Sequence, residues 1–518
     1  MSFQPPSVFN IYDYFLGDRI REGMAERRAL LTRDGETTYG ALDRTAGRVA
    51  LILREEGVRP GDRVIIALPD GPSYVAALFA VLRLGAVVVM VNPHIAAEQV
   101  RYFIEYTDAR AVLADHEVAD TFRAAARAVA DEAGVGDTAH IVAVGDLLLR
   151  DSVDPHPPDI DVFPSHPDAP AIFLFSGGTT GRPKAVVQTH RSFANTTELY
   201  GKGILGMGPA DVTLSVPKLY FGYATGSNLF FPFSVGATAA LFPERCTAEA
   251  LFDAIARFRP TVLVNVPTMV NHMLAHPGAA RQDLSCLRLA TSAGEALPEE
   301  LHHRWIETFG VPLLDGLGTA EMWHIFISNH LDDVRPGTLG RPVPGFEVRV
   351  TDEDGRALPP GSVGQLRVRG DSLARGYWKR REDTLRAFRG AWYVSQDMIS
   401  MDRAGYIRYH GRADDMLKVG GKWLAPAELE NVLLAHDAVR EVAVVGARDA
   451  RGLVKPAAFV VLEDGVRADD ALVAELQAWA RDRLEPYKYP RTVTFLPELP
   501  RTHLGKVDRG GLAGRGDR

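Results

Sequence analysis

Ala171-Ile-Phe-Leu-Phe175 runs directly into Ser176-Gly-Gly-Thr-Thr-Gly-Arg-Pro-Lys184. The apolar run reads as a buried strand, and the chain then turns abruptly to glycine, hydroxyl and lysine. Gly177, Gly178 and Gly181 let the backbone approach a phosphate closely with its N–H groups turned inward. Ser176, Thr179 and Thr180 add hydroxyl donors, and Lys184 adds a mobile positive charge. Together they make a cradle for a polyphosphate. The nucleotide-hydrolase loop needs a Ser or Thr immediately after its lysine to hold a metal. Here Ala185 follows Lys184, which excludes that loop. On its own the stretch could also be a Gly/Thr-rich surface turn, so its surroundings must decide.

Outward from this stretch, short β-branched runs alternate with helical patterns. Strands are expected at 64–68, 86–91, 171–175, 212–216, 237–242, 262–266 and 287–291, with helices at 73–84, 248–257 and 298–309. Such alternation predicts α/β layers of largely parallel sheet. After about residue 340 the texture changes. Strands are expected at 346–350 and 365–369 around the turn Asp352-Glu-Asp-Gly355, and 391–411 reads as polar and turn-rich. Residues 427–435 and 471–484 read as helices flanking strands 439–445 and 457–462, a small α+β unit of its own. The stretch 151–170 reads as a loop leading to the glycine-rich stretch.

At 518 residues the chain is too long for one ordinary core. A net charge of −8 argues against nucleic acid or an anionic membrane as the main partner. Two cysteines, Cys246 and Cys286, exclude a disulfide framework and fit a reducing compartment. The N-terminus lacks the basic region and apolar run of a signal peptide. No stretch approaches the ~20 apolar residues of a membrane span. A cytoplasmic location is therefore the expectation.

Five further motifs follow in order: Ser292-Ala-Gly-Glu-Ala-Leu-Pro298, Asp315-Gly-Leu-Gly-Thr-Ala-Glu321, Ser395-Gln-Asp397, Gly411-Arg-Ala-Asp-Asp415 and Pro500-Arg-Thr-His-Leu-Gly-Lys506. With 176–184 they resemble the adenylate-forming superfamily of acyl- and aryl-CoA synthetases, peptide-synthetase adenylation domains and luciferases, over nearly the whole chain. The resemblance implies a large ATP- and acid-binding domain (1–411) and a small mobile α+β domain (412–518) carrying a catalytic lysine. It implies that 176–184 holds the β- and γ-phosphates, with Thr180 among the catalytic groups. Ala293, Gly294, Glu295, Asp315, Gly316, Leu317 and Thr319 would lie along the nucleotide. Glu321 would bind Mg²⁺, and Asp397 and Arg412 the ribose. Lys506 would bridge carboxylate and α-phosphate. Asp414 would be the hinge between two orientations of the small domain. Lys418, Gly420 and Gly421 would border the passage for coenzyme A. The sequence departs from the family pattern at Leu317, where a tyrosine usually stacks on adenine, and at Ala320, where threonine is usual. Gln396 and Ala185 replace common glycines.

Within the superfamily, 218–237, 314–326 and 417–423 most resemble benzoate–CoA ligases, with anthranilate–CoA ligases related. Tyr220, Phe221, Tyr223 and Ala224 are expected to wall a flat slot with Gly318, and His324 to orient the carboxylate or a ring substituent; aromatic faces suit a planar ring. The implied reaction joins an aryl acid such as benzoate, a hydroxybenzoate or 2-aminobenzoate to coenzyme A at the expense of ATP. A stand-alone enzyme that loads a carrier protein is the rival, though no phosphopantetheine segment is visible at either end. A non-catalytic nucleotide-binding regulator is the reading from another class, opposed by Lys506, Glu321 and Asp397. The resemblance also admits a homodimer.

Overall fold

The computed structural model describes residues 3–133, 139–143, 160–177, 182–413, 416–419, 422–449, 452–501 and 507–516. Among these, two large sheets dominate, as the alternation of strand and helix predicts. The first has six strands. His140–Ala143, Ala109–Ala114, Arg63–Ala67, Val87–Met90 and Pro170–Ser176 lie parallel in that spatial order. Lys184–Thr189 then returns antiparallel beside Pro170–Ser176, with Ser176 opposite Lys184. All of Val87–Met90 is buried, as expected of a strand covered on both faces. The helix Pro72–Arg83 covers one face. It begins with proline in its first turn, where no N–H partner is lost, and buries every residue from Tyr74 to Leu82.

The second sheet has nine strands. Its centre is parallel: Thr238–Ala240, Val212–Ser215, Val262–Asn265, Leu289–Ser292 and Leu313–Gly318. Ile325–Ser328 then runs antiparallel against Leu313–Gly318. The carboxyl ends of Leu289–Ser292 and Leu313–Gly318 lead into the 293–295 and 319–321 motifs, the place where open α/β sheets take ligands.

The stretch 391–411 departs from the expectation of a polar, turn-rich segment. Trp392–Met401 and Ile407–Arg412 are antiparallel strands of a five-stranded sheet that also contains Glu347–Thr351 and Val363–Arg369. Six of the ten residues of Trp392–Met401 are buried, Ser395 and Asp397 among them, so polar side chains masked a largely buried strand.

After Arg412 come the hairpin Leu417–Val419/Lys422–Leu424, the helix Pro426–Leu434, the strand pair Val439–Arg448/Val454–Leu462 and the helix Asp470–Arg483. Two further elements lie beyond those expected: the strand Thr492–Phe495, parallel to Val454–Leu462, and the helix Arg509–Gly516. This smaller α/β layer has its own apolar clusters around Leu429, Val444, Phe459 and Leu476. It touches the larger part where Asn271 Nδ2 donates to the Arg440 carbonyl at 3.4 Å. Among the described residues no helix is long and apolar enough to cross a membrane.

Gly340 has φ +80°, and a Cβ there would sit 2.1 Å from the Ser328 carbonyl oxygen. Left-handed backbone costs a substituted residue roughly 1–2 kcal/mol, before any displacement of the Ile325–Ser328 strand. Gly340→Ala should therefore lower Tm by about 1–2 °C or more in a thermal melt. An unchanged Tm would refute this account of the position.

Candidate active site

Two adjoining cavities take up most of the motifs. The first, about 600 Å³, is polar. Ser176, Gly177 and Lys184 line it from the six-stranded sheet. Gly294, Glu295, Gly316, Leu317, Gly318, Thr319 and Glu321 line it from the nine-stranded sheet, and Asp397 and Arg412 from the five-stranded one. The second, about 240 Å³, is mainly apolar. Tyr220, Phe221, Tyr223, Ala293, Trp323 and His324 line it with Met90, Phe103 and Leu174. Ser176, Gly294, Gly318, Thr319 and Ala320 border both cavities. A group lying at that common wall would reach both.

Each polar side chain is held by its neighbours. Asp397 Oδ2 accepts from the Ser395 hydroxyl, and Tyr409 donates to Oδ1 at 3.3 Å. Asp397 and Arg412 are register partners on adjacent strands, so they share one face of the sheet. The Glu295 carboxylate accepts from the Thr268 amide at 3.2 Å and its hydroxyl at 2.7 Å, capping the helix Pro267–Ala275. Glu321 is buried and accepts from the Tyr377 phenol at 2.8 Å. Burial, together with the Glu321 charge, raises the Tyr377 pKa far above the ordinary phenol value, so it donates at any physiological pH. The main chain around Glu321 is fixed as well. Gln188 donates to the Ala320 carbonyl at 2.6 Å, and the Ala374 amide to the Glu321 carbonyl at 2.8 Å. Among the described residues the buried Thr319 hydroxyl has no protein partner.

The apolar cavity depends on an unusual turn. Trp323 has φ +68° and ψ −54°, and the His324 amide donates back to the Met322 carbonyl at 2.9 Å. This is a γ-turn of the strained hand, of a kind that collects at functional sites. It is stabilised by burial of the indole, whose ring lies 4.1 Å from that of Phe193. Beyond the turn, His324 Nε2 lies 3.0 Å from the Tyr223 carbonyl and 3.2 Å from the Ser227 hydroxyl. Nδ1 is buried without a partner among the described residues. Gly226 makes room for the ring, since a Cβ there would stand 2.4 Å from His324 Cδ2. Complete burial lowers the imidazole pKa to about 4, so the ring is neutral. With Nε2–H donating to the carbonyl, Nδ1 is an acceptor.

Several expectations need correction. Ala224 does not wall the cavity; it is fully buried in the core with Phe230 and Trp323, because only one face of its short helical turn meets the slot. The segment around it is irregular. It passes from Gly222–Thr225 through a π-helical turn, Gly226–Phe230, to Phe231–Phe233. The Tyr223 hydroxyl is already engaged with Thr291 at 2.6 Å. Asp315 lies behind the cleft wall, where burial raises its carboxyl pKa well above the ordinary range. Gly178, Thr179, Thr180, Gly181, Asp414, Gly420, Gly421 and Lys506 lie outside the described residues, as does the side chain of Lys418. Tyr377, Tyr409, Trp323 and Asp383 escaped sequence reading. They belong to no phosphate- or metal-binding pattern and reach the site only through the fold.

The AMP-binding enzyme family matches residues 18–378, and the AMP-binding enzyme C-terminal domain matches residues 428–506. The chain is 38% identical over 514 residues to the benzoate–CoA ligase of Thauera aromatica, covering 97% of this chain and 95% of that one. The crystal structure of an anthranilate CoA ligase in complex with anthranoyl-AMP superposes with a TM-score of 0.93 at 34% identity, covering 99% of this chain and 98% of that chain. A benzoate CoA ligase from Burkholderia xenovorans LB400 gives 0.89 at 38% identity, covering 98% and 100%.

The folded pKa of His324 lies below its ordinary value of 6.5, so the unfolded chain protonates first on acidification. The stability held in the neutral ring is complete above about pH 6.5. It is lost as pH falls towards 4, at up to about 1.4 kcal/mol per pH unit. Melts between pH 7 and 4.5 should fall more steeply for the wild type than for His324→Phe. Parallel slopes would refute this assignment.

Proposed function

The chain belongs to the AMP-binding enzyme family, and from that premise we propose that it is an ATP-dependent aryl-CoA ligase acting on a single-ring carboxylic acid. What carries the reading is the wall common to the two cavities: a ring in the apolar cavity and a nucleotide in the polar cleft would meet at Ser176, Gly318 and Thr319. An aryl carboxylate oxygen there attacks the α-phosphorus of ATP, and pyrophosphate departs with the bonding electrons. The thiol sulfur of coenzyme A then attacks the acyl carbon, AMP leaves, and the thiol proton is lost. The first step brings two anions together, so catalysis is chiefly positioning and charge neutralisation.

In this reading Lys184 neutralises the outer phosphates and the Thr319 hydroxyl donates to the nucleotide or the carboxylate. Asp397, acceptor-only and held by Ser395 and Tyr409, takes the ribose hydroxyls beside Arg412. Lys506 bridges carboxylate and phosphate in adenylation, and Lys418 serves the thioester step after rotation about Asp414. The acidic groups of the cleft fit a magnesium ion held mainly by phosphate. Among the described residues no cluster of three or more His, Cys, Asp or Glu could cage a metal, whereas Glu321 presents one oriented, hard oxygen donor to the cleft. Bound there, the ion would offset phosphate charge. A third cavity of about 400 Å³ opens between Asn271 and His272 on one side and Arg440 and Glu441 on the other. It reaches Gly294 and Arg412, and we assign it to the entering thiol.

The ring acid is best supported as one bearing a hydrogen-bond donor, a hydroxy- or aminobenzoate, with benzoate itself as a weaker substrate. Among the described residues His324 Nδ1 is an unsatisfied buried acceptor on a residue that lines the ring cavity, and leaving it unpaired costs about 1–3 kcal/mol. A long alkyl chain would outrun the 240 Å³ cavity.

With ATP, magnesium and coenzyme A, the protein should release AMP and pyrophosphate on a panel of benzoates, and less on fatty acids. Absence of AMP across that panel would sink the assignment, and transfer only to a carrier protein would revise the acceptor. Among substituted acids that bind more tightly than benzoate, His324→Phe should erase about tenfold of the advantage in kcat/KM and leave KM for ATP unchanged.

A further inference from the structure

Lys184 has a partner inside the polar cleft. Its ammonium stands 3.3 Å from the Asp383 carboxylate and 5.2 Å from the centroid of the Tyr377 ring. Both charged side chains are largely shielded, with 16% and 26% exposure. Among the described residues Lys184 is the one ion-pair partner of Asp383.

The contact is built into the fold on both sides. Tyr102 and Tyr106 lie stacked on the helix Ala97–Thr107, their centroids 5.1 Å apart. Tyr102 donates to the Pro183 carbonyl at 2.7 Å, and the Trp378 amide donates to the Ala185 carbonyl at 2.8 Å. The main chain on either side of Lys184 is thus tied down. Tyr106 donates to the Trp378 carbonyl at 2.6 Å, and the Arg380 side chain bonds both tyrosine hydroxyls. Tyr377 N donates to the Thr384 hydroxyl at 3.0 Å, fixing the start of the helix Arg381–Ala387 that carries Asp383. The two backbones cannot separate easily, so only the side chains are free to re-pair.

A carboxylate in a cleft meant for polyphosphate works against binding, because it repels the ligand and occupies the lysine that would hold it. We propose that Asp383 is a positioning residue that competes with polyphosphate for Lys184, lowering the affinity for ATP so that pyrophosphate can leave. When phosphate is absent, the ammonium rests on Asp383 over the Tyr377 ring, whose hydroxyl is bound to Glu321. When phosphate arrives, Lys184 exchanges one anion for the other without crossing open solvent. This inference rests on the reading of Lys184 as a phosphate ligand.

The test is calorimetric titration of inorganic pyrophosphate with magnesium into wild type, Asp383→Asn, Asp383→Glu and Lys184→Ala, together with steady-state kinetics. Asp383→Asn should bind pyrophosphate about two- to fivefold more tightly, the range for one partly exposed ion pair. Its KM for ATP should fall by a similar factor while KM for the acid stays the same, and Asp383→Glu should restore wild-type values. A purely structural role would not produce tighter binding. If Lys184→Ala weakens binding but Asp383→Asn does not strengthen it, the competition is refuted and the reading of Lys184 stands. If Lys184→Ala binds as well as wild type, that reading itself fails and this inference goes with it.

Discussion

The short return of the chain from Gly318 to Ile325 is the constraint on which the site depends. Leu313–Gly318 and Ile325–Ser328 are hydrogen-bonded neighbours, so the residues between them must reverse direction within a few positions. The chain does so by a turn of 3₁₀ helix, Ala320–Met322, and the strained Trp323. That compression places the Glu321 carboxylate on the polar cleft and the His324 ring on the apolar cavity, with Gly318 to Ala320 between them. A looser loop would separate the two functions. The strain, of order 1–3 kcal/mol, is offset by burying Trp323 among Phe193 and Phe230 and by ties from Gln188 and Ala374. The turn is therefore held from three directions by parts of the chain remote in sequence.

Across that turn the electrostatic environment changes sharply. On the ring side, burial keeps His324 neutral and shifts the Tyr220 phenol up to about 12, so the slot offers dipoles rather than charges. On the nucleotide side, charges remain and are paired or oriented: Lys184 with Asp383, Glu321 with Tyr377, Asp397 with Ser395 and Tyr409. A carboxylate at the boundary would have its ring in an uncharged slot and its oxygens beside cations. This division suits a reaction in which an anion must act as a nucleophile towards phosphorus.

The α/β layering was legible because apolar runs such as Val87–Met90 are buried on both faces and carry no competing signal. So were the motifs at strand ends, whose glycines and charges are consecutive in sequence. The strand Trp392–Met401 was not, since its Ser395, Gln396 and Asp397 imitate a loop although Ser395 and Asp397 are buried. Ala224 was misplaced because sequence gives a helical segment's membership but not which face meets the ligand. Tyr377 and Asp383 were invisible for a different reason. Their importance comes from docking 376–384 against Lys184–Thr189 and the helix Ala97–Thr107, a convergence of segments that no local pattern encodes.

The common wall of the two cavities has a consequence for what happens between the half-reactions. An aryl adenylate is a bivalent guest: its ring is gripped on one side, its nucleotide on the other, and a covalent bond now joins them. Each grip can be modest, because release of one end leaves the other to hold the molecule at high effective concentration, ready to rebind. Leakage of the activated acid into water would require both ends to let go together. Such a protein retains a hydrolytically fragile compound without binding either precursor tightly, and gives it up once the thiol has severed the link.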